Sequence, residues 1–451
     1  MPSFAFVKLS HEISALLKLA LPVALSQLAI IGMGTTDTIL AGHAGMLELA
    51  GLSLGNNVWT MVILFFFGIG TITQALVGRY FGAGNHQALR SQLYQSIWMT
   101  FACGIVGTLG VLLGAELLLH GGFDALMADK ANSYLKAIAW GALPMCMLPA
   151  LRGSLEAMSL TRAALWVNAA AFLINIPLDY AMVFGVWGFP KLGAVGCAWA
   201  SAFLLWLSLF ANALLLHKHS KIKHLNLFRQ FEWPNAKIIA STFALGLPIG
   251  FSILIEMSMF AGAGMLIAFF GPVAAGAHSI AISIAAASFM IYVGLAQGVT
   301  IRASQKLGAQ QHAGARYTVA VGTSLNMLFA LAISIAYIFF REPLANLYSS
   351  DTAVVGLAVQ LLLFGALFQI VDCLQAAALA ALRAYHDTAS PPRYQMFAYW
   401  LIGLPLGVGL GFYTEGYWFS GPQGFWFAMV VSLLIAGVLM LKRLVNLTAS
   451  N

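Results

Sequence analysis

Charge is what this chain has least of. Only 8% of its 451 residues are Asp, Glu, Lys or Arg, where a soluble domain carries about 25%. So few charges cannot cover the surface of a water-soluble fold. Cysteine is sparse as well: Cys103, Cys146, Cys197 and Cys373 all fall inside apolar stretches and form no CxxC pair. They read as small buried hydrophobes rather than a redox or zinc motif. There is no GxxxxGK[ST] loop, which removes ATP as a direct energy source for this chain. His11 and Glu12 have no second His four residues on, so the zinc-protease motif is missing too. No small-residue cleavage motif is set apart from the first apolar run, and that run is expected to remain as a span.

What is present is hydrophobic residue, at 61%, in recurring runs of about 20, each enough to cross the roughly 30 Å hydrocarbon core of a bilayer. The runs are apolar all round, without the alternation of a β-barrel strand. The expected fold is an all-α polytopic membrane protein with spans near 14–40, 50–76, 93–119, 134–157, 164–186, 193–217, 238–268, 276–300, 317–341, 353–382, 394–414 and 422–441. Assigning alternate loops to opposite sides puts 18 Lys and Arg, Lys8 and Arg229 among them, on the side of the N-terminus. It leaves Lys130, Lys136, Lys191 and Arg341 on the other. The positive-inside rule then predicts both termini in the cytoplasm of a cell with a cytoplasmic (inner) membrane. That asymmetry also accounts for the net charge of +7, so no nucleic-acid partner is expected.

The longest connection, KHSKIKHLNLFRQFEWPNAK, marks a boundary: an N-terminal lobe at 1–217, a cytoplasmic inter-lobe loop at 218–237 and a C-terminal lobe at 238–451. Its basic cluster serves topology, with anionic lipid head groups as the alternative reading. The flanks repeat each other. At an offset of 226 residues Leu19 meets Leu245, Pro22 meets Pro248 and Ser26 meets Ser252. The same offset later pairs Gly68 with Gly294, Gly82 with Gly308 and Arg90 with Arg316. An even number of spans between equivalent points implies a parallel repeat: two six-helix lobes related by a pseudo-twofold along the membrane normal, suited to rocking about a central site.

Most acids lie in predicted loops or at span ends, where solvated or interfacial charge explains them; Glu12, Glu156, Asp387 and Glu415 are of this kind. Asp37, Asp179, Glu256 and Asp372 are not, because they fall within predicted spans with no Lys or Arg at mid-span to pair them. An unpaired carboxylate in low dielectric holds either a proton or a cation, and such residues mark function by default. Asn175 lies one turn before Asp179 with Pro177 between them, and a proline inside a helix frees a carbonyl and bends the axis. Asn175, Asp179 and Asp37 are thus expected to enclose a small cation or proton site in the first lobe. Glu256 and Asp372 are not their repeat mates, so the lobes share a scaffold but differ in chemistry. The 18 Met and 31 Phe suit an aromatic, pliable cavity for flat cations, or else simply face lipid and fill the bundle. His278 reads as a satisfied polar residue.

GTTDTILAGHAG around Asp37, NIPLDY from Asn175 to Tyr180, LIEMSMF around Glu256, VDCLQ at Asp372 followed by LRAYHDT, and AYWLIGLPLG from Ala398 to Gly407 resemble the multidrug and toxic compound extrusion (MATE) family, closest to its NorM branch. The resemblance covers essentially the whole chain. It implies a twelve-helix, V-shaped transporter, not an enzyme, that exports cationic amphipathic drugs and dyes in exchange for Na⁺ or H⁺. It implies no cofactor beyond the coupling ion. Glu256 and Asp372 match that branch's second-lobe cation site and would bind Na⁺ if sodium couples. Asp37, Asn175 and Asp179 match the first-lobe coupling cluster. Asp37, Glu256 and Asp372 are also the expected contacts for a cationic substrate, and the chain is expected to act as a monomer in lipid. Two alternatives remain: a lipid-linked oligosaccharide flippase of the same superfamily, whose cavity needs Arg or Lys, and an intramembrane carboxylate enzyme.

Overall fold

A computed structural model describes residues 2–225, 227, 231–414 and 420–449. Arg229 and Glu415 lie outside the described residues, as does the side chain of Lys8. Among the described residues, twelve helices are long and apolar enough to cross a membrane: α1 Leu9–Ala44, α2 Met46–Gly82, α3 His86–Leu119, α4 Ala125–Ala157, α5 Thr161–Phe184, α6 Ala194–Lys218, α7 Ala236–Ala268, α8 Pro272–Gly308, α9 His312–Asn346, α10 Thr352–Ala384, α11 Ser390–Tyr413 and α12 Pro422–Ala449. No strand occurs among the described residues. Most helices run past the expected spans because polar N-caps and charged end turns continue the helix beyond its apolar run. Asn85 accepts from Ala88 N at 3.0 Å to start α3. Asp124 accepts from Leu126 N and Met127 N to start α4, and Asp351 from Ala353 N and Val354 N to start α10. Each cap satisfies donors that a helix start leaves open.

The repeat is visible in the backbone. Gly45 and Gly271, 226 residues apart, precede α2 and α8 with φ of 145° and 99°. Gly193 and Gly421 precede α6 and α12 with φ of 60° and 63°. Left-handed conformations recur where the chain must turn sharply between spans, and glycine adopts them at no steric cost.

The chain forms two compact units, Met1–Ala24 with Phe251–Asn451, and Leu25–Gly250. This differs from the lobes expected at 1–217 and 238–451. The division falls inside α1 and α7, two to three residues after Pro22 and Pro248, and the first half of each of these helices packs with the other repeat's helices. In the unit of Leu25–Gly250, Gly246 and Gly250 of α7 lie against Ile69 and Phe65 of α2. In the other unit, Gly294 and Gly298 of α8 lie against Ala24 and Ala20 of α1. The two crossings are repeat mates, and small residues let the backbones approach. A β-carbon on Gly294 would sit 2.6 Å from Ala24 N. Gly294→Leu is therefore expected to cost about 1–3 kcal/mol through overpacking, read as a lower thermal midpoint of the purified protein; an unchanged midpoint would show that this crossing tolerates a side chain.

The inter-lobe loop is anchored within its unit. Glu232 pairs with Arg90 at 3.0 Å and accepts from Trp98 Nε1 through its carbonyl at 3.1 Å. Gln95 bonds Trp233 O and Asn235 N, and Phe231 packs edge-on against Tyr94 and Trp98.

Candidate functional site

The four acids expected inside spans fall into two clusters, one in each unit. In the unit of Leu25–Gly250, α1 supplies Asp37, α5 supplies Asn175 and Asp179, and α6 supplies Cys197 and Ser201. Asp37 is 8% exposed and Asn175 and Asp179 are 0% exposed. Asn175 Nδ2 donates to Asp37 Oδ1 at 3.4 Å, and Ser201 Oγ donates to Asp37 Oδ2 at 3.1 Å. The Cys197 thiol reaches Asp37 O at 3.7 Å. One ligand atom each from Asp37, Asp179 and Cys197 lies within 4.8 Å of the others. Among the described residues, neither Asp179 oxygen and not Asn175 Oδ1 has a hydrogen-bond partner. Two carboxylates this close in apolar surroundings cannot both stay charged and bare. A proton or a small cation relieves the repulsion, and the orphaned oxygens of Asp179 and Asn175 are hard donors suited to Na⁺ or to a proton-bearing water.

An apolar cleft of about 440 Å³ is lined by sequence neighbours of these residues on α1 and α5, though neither Asp37 nor Asp179 lines it. Ile39 and Leu40 line it from α1, Pro177 and Tyr180 from α5, and Trp187 from the following loop. Tyr180 and Trp187 are 47% and 72% exposed. Neither Met nor Phe lines this cleft, so here the aromatic surface comes from Tyr and Trp.

In the other unit, Glu256 of α7 accepts from Gln395 Nε2 of α11 at 3.4 Å, and Gln395 Oε1 accepts from Ser252 Oγ. Tyr399 Oη donates to Gln375 Oε1 of α10. Asp372 is 3% exposed and its Oδ1 has no partner among the described residues. Tyr399 lies within electrostatic range of both Glu256 and Asp372. Gln395 immediately precedes a π-helical stretch, Met396–Gly403, that contains Tyr399, an irregularity frequent at functional sites. Arg383, near the end of α10 rather than at mid-span, supplies a favourable longer-range charge interaction for Glu256 without an ion pair to it among the described residues.

Three acids read as solvated are not. Glu12 is 4% exposed and held by Arg302 at 2.7 Å and Lys306 at 2.9 Å. Glu156 is 2% exposed, with Arg152 at 2.9 Å and Gln74 Nε2 at 2.7 Å. Asp387, between α10 and α11, is taken up by Arg443 at 2.6 Å. Burial alone would push its carboxyl up, but hydrogen bonds from Arg443 and Ser390 outweigh it and hold it below the usual carboxylate range. His278 is satisfied as expected, accepting from Trp426 Nε1 at Nδ1 over 3.2 Å. Sequence reasoning missed Ser201, Cys197, Gln395, Tyr399 and Arg383. Tyr399 and Arg383 stood in motifs that had drawn notice, AYWLIGLPLG and LRAYHDT.

The MatE family model matches residues 22–181 and 248–408, one segment in each repeat. The chain belongs to the MatE family. Among MatE relatives, multidrug resistance protein PmpM of Pseudomonas aeruginosa is 34% identical over 97% of this chain and 92% of its own length. Multidrug resistance protein NorM of Vibrio cholerae is 31% identical over 96% of this chain and 95% of its own. The solved structure of the eukaryotic MATE transporter AtDTX14 superposes with a TM-score of 0.87 at 20% identity, covering 98% of both chains. An outward-facing MATE transporter of the MOP superfamily gives 0.86 at 17% identity over 96% of each. At such identities the solved structures speak for the fold, which is that of MATE transporters.

Proposed function

We propose that this chain is a cation-coupled antiporter that exports cationic amphipathic compounds in exchange for Na⁺ or H⁺, through relative motion of its two repeat-related lobes. It works as a monomer in a cytoplasmic (inner) membrane with both termini in the cytoplasm. The observation that carries the reading is the buried Asp37–Asp179 pair, in which both Asp179 oxygens lack a partner among the described residues. Drug cation and coupling cation both gain by neutralising the same low-dielectric negative charge, so each weakens the other's binding, and this linkage is reciprocal. Apolar and aromatic walls suit a flat, poorly hydrated cation, through cation–π contact as well as burial. Glu256 and Asp372 form a second acidic site that serves the same exchange, and they hold Na⁺ if sodium couples.

The multidrug resistance names of its relatives agree with this reading. A flippase of anionic lipid-linked sugars calls for Arg or Lys in the cleft, and the seven lining residues include neither. The test is efflux of a cationic dye from everted vesicles under a Na⁺ gradient and a pH gradient imposed separately. One of the two is expected to drive dye movement; movement under neither would overturn antiport.

A further inference from the structure

The connection between α6 and α7 has two faces, and only one of them is covered by protein. Ile222, Leu225 and Leu227 are buried in one cluster with Leu155 of α4 and Leu216 of α6, so the apolar side of the connection belongs to the core of its own unit. Lys218, Lys221 and Lys223 are interleaved with these residues and are exposed, as is Lys237 at the start of α7. None of the four makes an ion pair among the described residues. Glu232 is the one acid in the sequence between His217 and Lys237, and Arg90 already holds it at 3.0 Å. The positive charge of the outer face is left uncompensated.

The same connection carries an aromatic ledge. Phe231 and Trp233 are 60% and 77% exposed, and their rings meet edge-on at 5.2 Å. Phe231 also meets Tyr94 and Trp98 of α3 edge-on, at 6.0 and 6.1 Å. Arg90, Tyr94 and Trp98 recur every four residues, so they form one stripe of α3, and residues 231–235 are bonded along it through Arg90, Gln95 and Trp98. This places the segment at the edge of the bilayer, because the apolar runs begin near 93 in α3 and near 238 in α7 and end near 217 in α6. Amphipathic aromatic rings collect at that level in membrane proteins. Topology alone accounts for the number of lysines but needs no fixed arrangement of them. Here the arrangement is fixed: buried leucines, an ion pair and ring packing hold lysines and rings at one end of the unit.

We propose that Lys218, Lys221, Lys223 and Lys237, with Phe231 and Trp233, form a docking surface for anionic phospholipid in the leaflet that meets this end of the unit. The ammonium groups face lipid phosphates, and the two rings lie among the glycerol and upper acyl carbons. Charge complementarity selects the occupant. A zwitterionic lipid sets its own cation beside the phosphate and offers the lysines little net attraction, whereas a free anion has no apolar part to cover the rings. Each lysine near an anionic surface is worth about fivefold in affinity, and salt weakens the attraction. The inference is independent of the exchange mechanism and of which side of the membrane this end faces.

Native mass spectrometry of the whole purified protein in mixed micelles tests it, by counting retained phosphatidylglycerol against phosphatidylcholine. Wild type should retain phosphatidylglycerol in preference. Each of Lys218→Gln, Lys221→Gln and Lys223→Gln should weaken that retention about fivefold, and the triple variant about a hundredfold if the three act independently. Phosphatidylcholine retention should stay as it is. Trp233→Ala should loosen both lipids, since the ring meets the part they share. Lys442→Gln, which removes an exposed lysine from α12 in the other unit, should change nothing. Equal retention of the two lipids by wild type, or wild-type retention by the triple variant, overturns the proposal and leaves the lysines to topology alone. A loss from Lys442→Gln as large as from a loop lysine overturns it as well, because the lipid then answers to net charge. So does displacement of the lipid by inorganic phosphate at equal concentration, which would make this a site for a free anion.

Discussion

Asp37→Asn is expected to flatten the dependence of drug affinity on Na⁺ or pH and to abolish gradient-driven efflux if the first acidic cluster couples, and Asp179→Asn is expected to do the same. The substitutions keep size and change charge. Asp37 and Asp179 lie close enough to share one neutralising cation, so removing either charge removes the reason to bind it. The double variant should lose no more than either single one, since residues acting on one ligand are not additive. The loss should amount to about 5–150-fold in cation-dependent affinity, the usual range of site-to-site coupling. Glu256→Gln and Asp372→Asn make the same test of the second cluster. The readout is drug binding to purified protein across Na⁺ concentration and pH, beside vesicle efflux for each variant. If all four variants keep the wild-type cation dependence and transport, the carboxylates are structural and the antiport mechanism is wrong.

The largest expected loss of stability comes from Glu12→Gln. The Glu12 carboxylate takes two hydrogen bonds of 2.7 Å from Arg302 Nε and a terminal nitrogen, one of 2.9 Å from Lys306 Nζ, and one from Thr318. Its amide replacement leaves two largely buried cations facing no negative charge. Breaking one partner out of a buried ion cluster costs about 3–5 kcal/mol, because the remaining charge is desolvated without compensation. A second substitution, Arg302→Gln on the Glu12→Gln background, should recover part of that loss. Thermal unfolding of purified protein in detergent measures both. A Glu12→Gln midpoint equal to wild type would show that water already solvates the cations at that end.

The twelve spans and the repeat were legible in the sequence because a bilayer dictates the length of each apolar run and because Gly and Pro kept one register across loops. Asp37, Asn175 and Asp179 could be grouped before the structure was known, since a lone carboxylate in an apolar run needs a partner. Ser201 and Gln395 could not, because an uncharged polar residue inside an apolar helix carries no periodic signal. Glu12 and Glu156 were misread for a different reason. For Glu12 the partner Arg302 lies 290 positions away, and no local pattern announces it; for Glu156 the i,i+4 pairing with Arg152 was local, but its burial and its contact with Gln74, 82 positions away, were not. The division of the chain within α1 and α7 was also hidden, because composition marks loops and is silent about a helix that changes neighbours midway. Pro22 and Pro248, at equivalent positions just before the change, were its only trace.

That change of neighbours bears on how the protein is made. Residues up to Ala24 leave the ribosome well before the helices they pack against, which start at Phe251. The unit of Leu25–Gly250 likewise stays incomplete until the first half of α7 has been synthesised. Neither lobe can therefore finish folding as an autonomous product of its own half of the chain. The start of α1 has to be kept from premature association while more than two hundred residues are inserted after it, and incomplete intermediates of that kind are where large proteins misassemble. Split versions cut in the inter-lobe loop would yield two fragments, each carrying the half-helix that the other needs, so assembly after synthesis would depend on both fragments meeting in the same membrane.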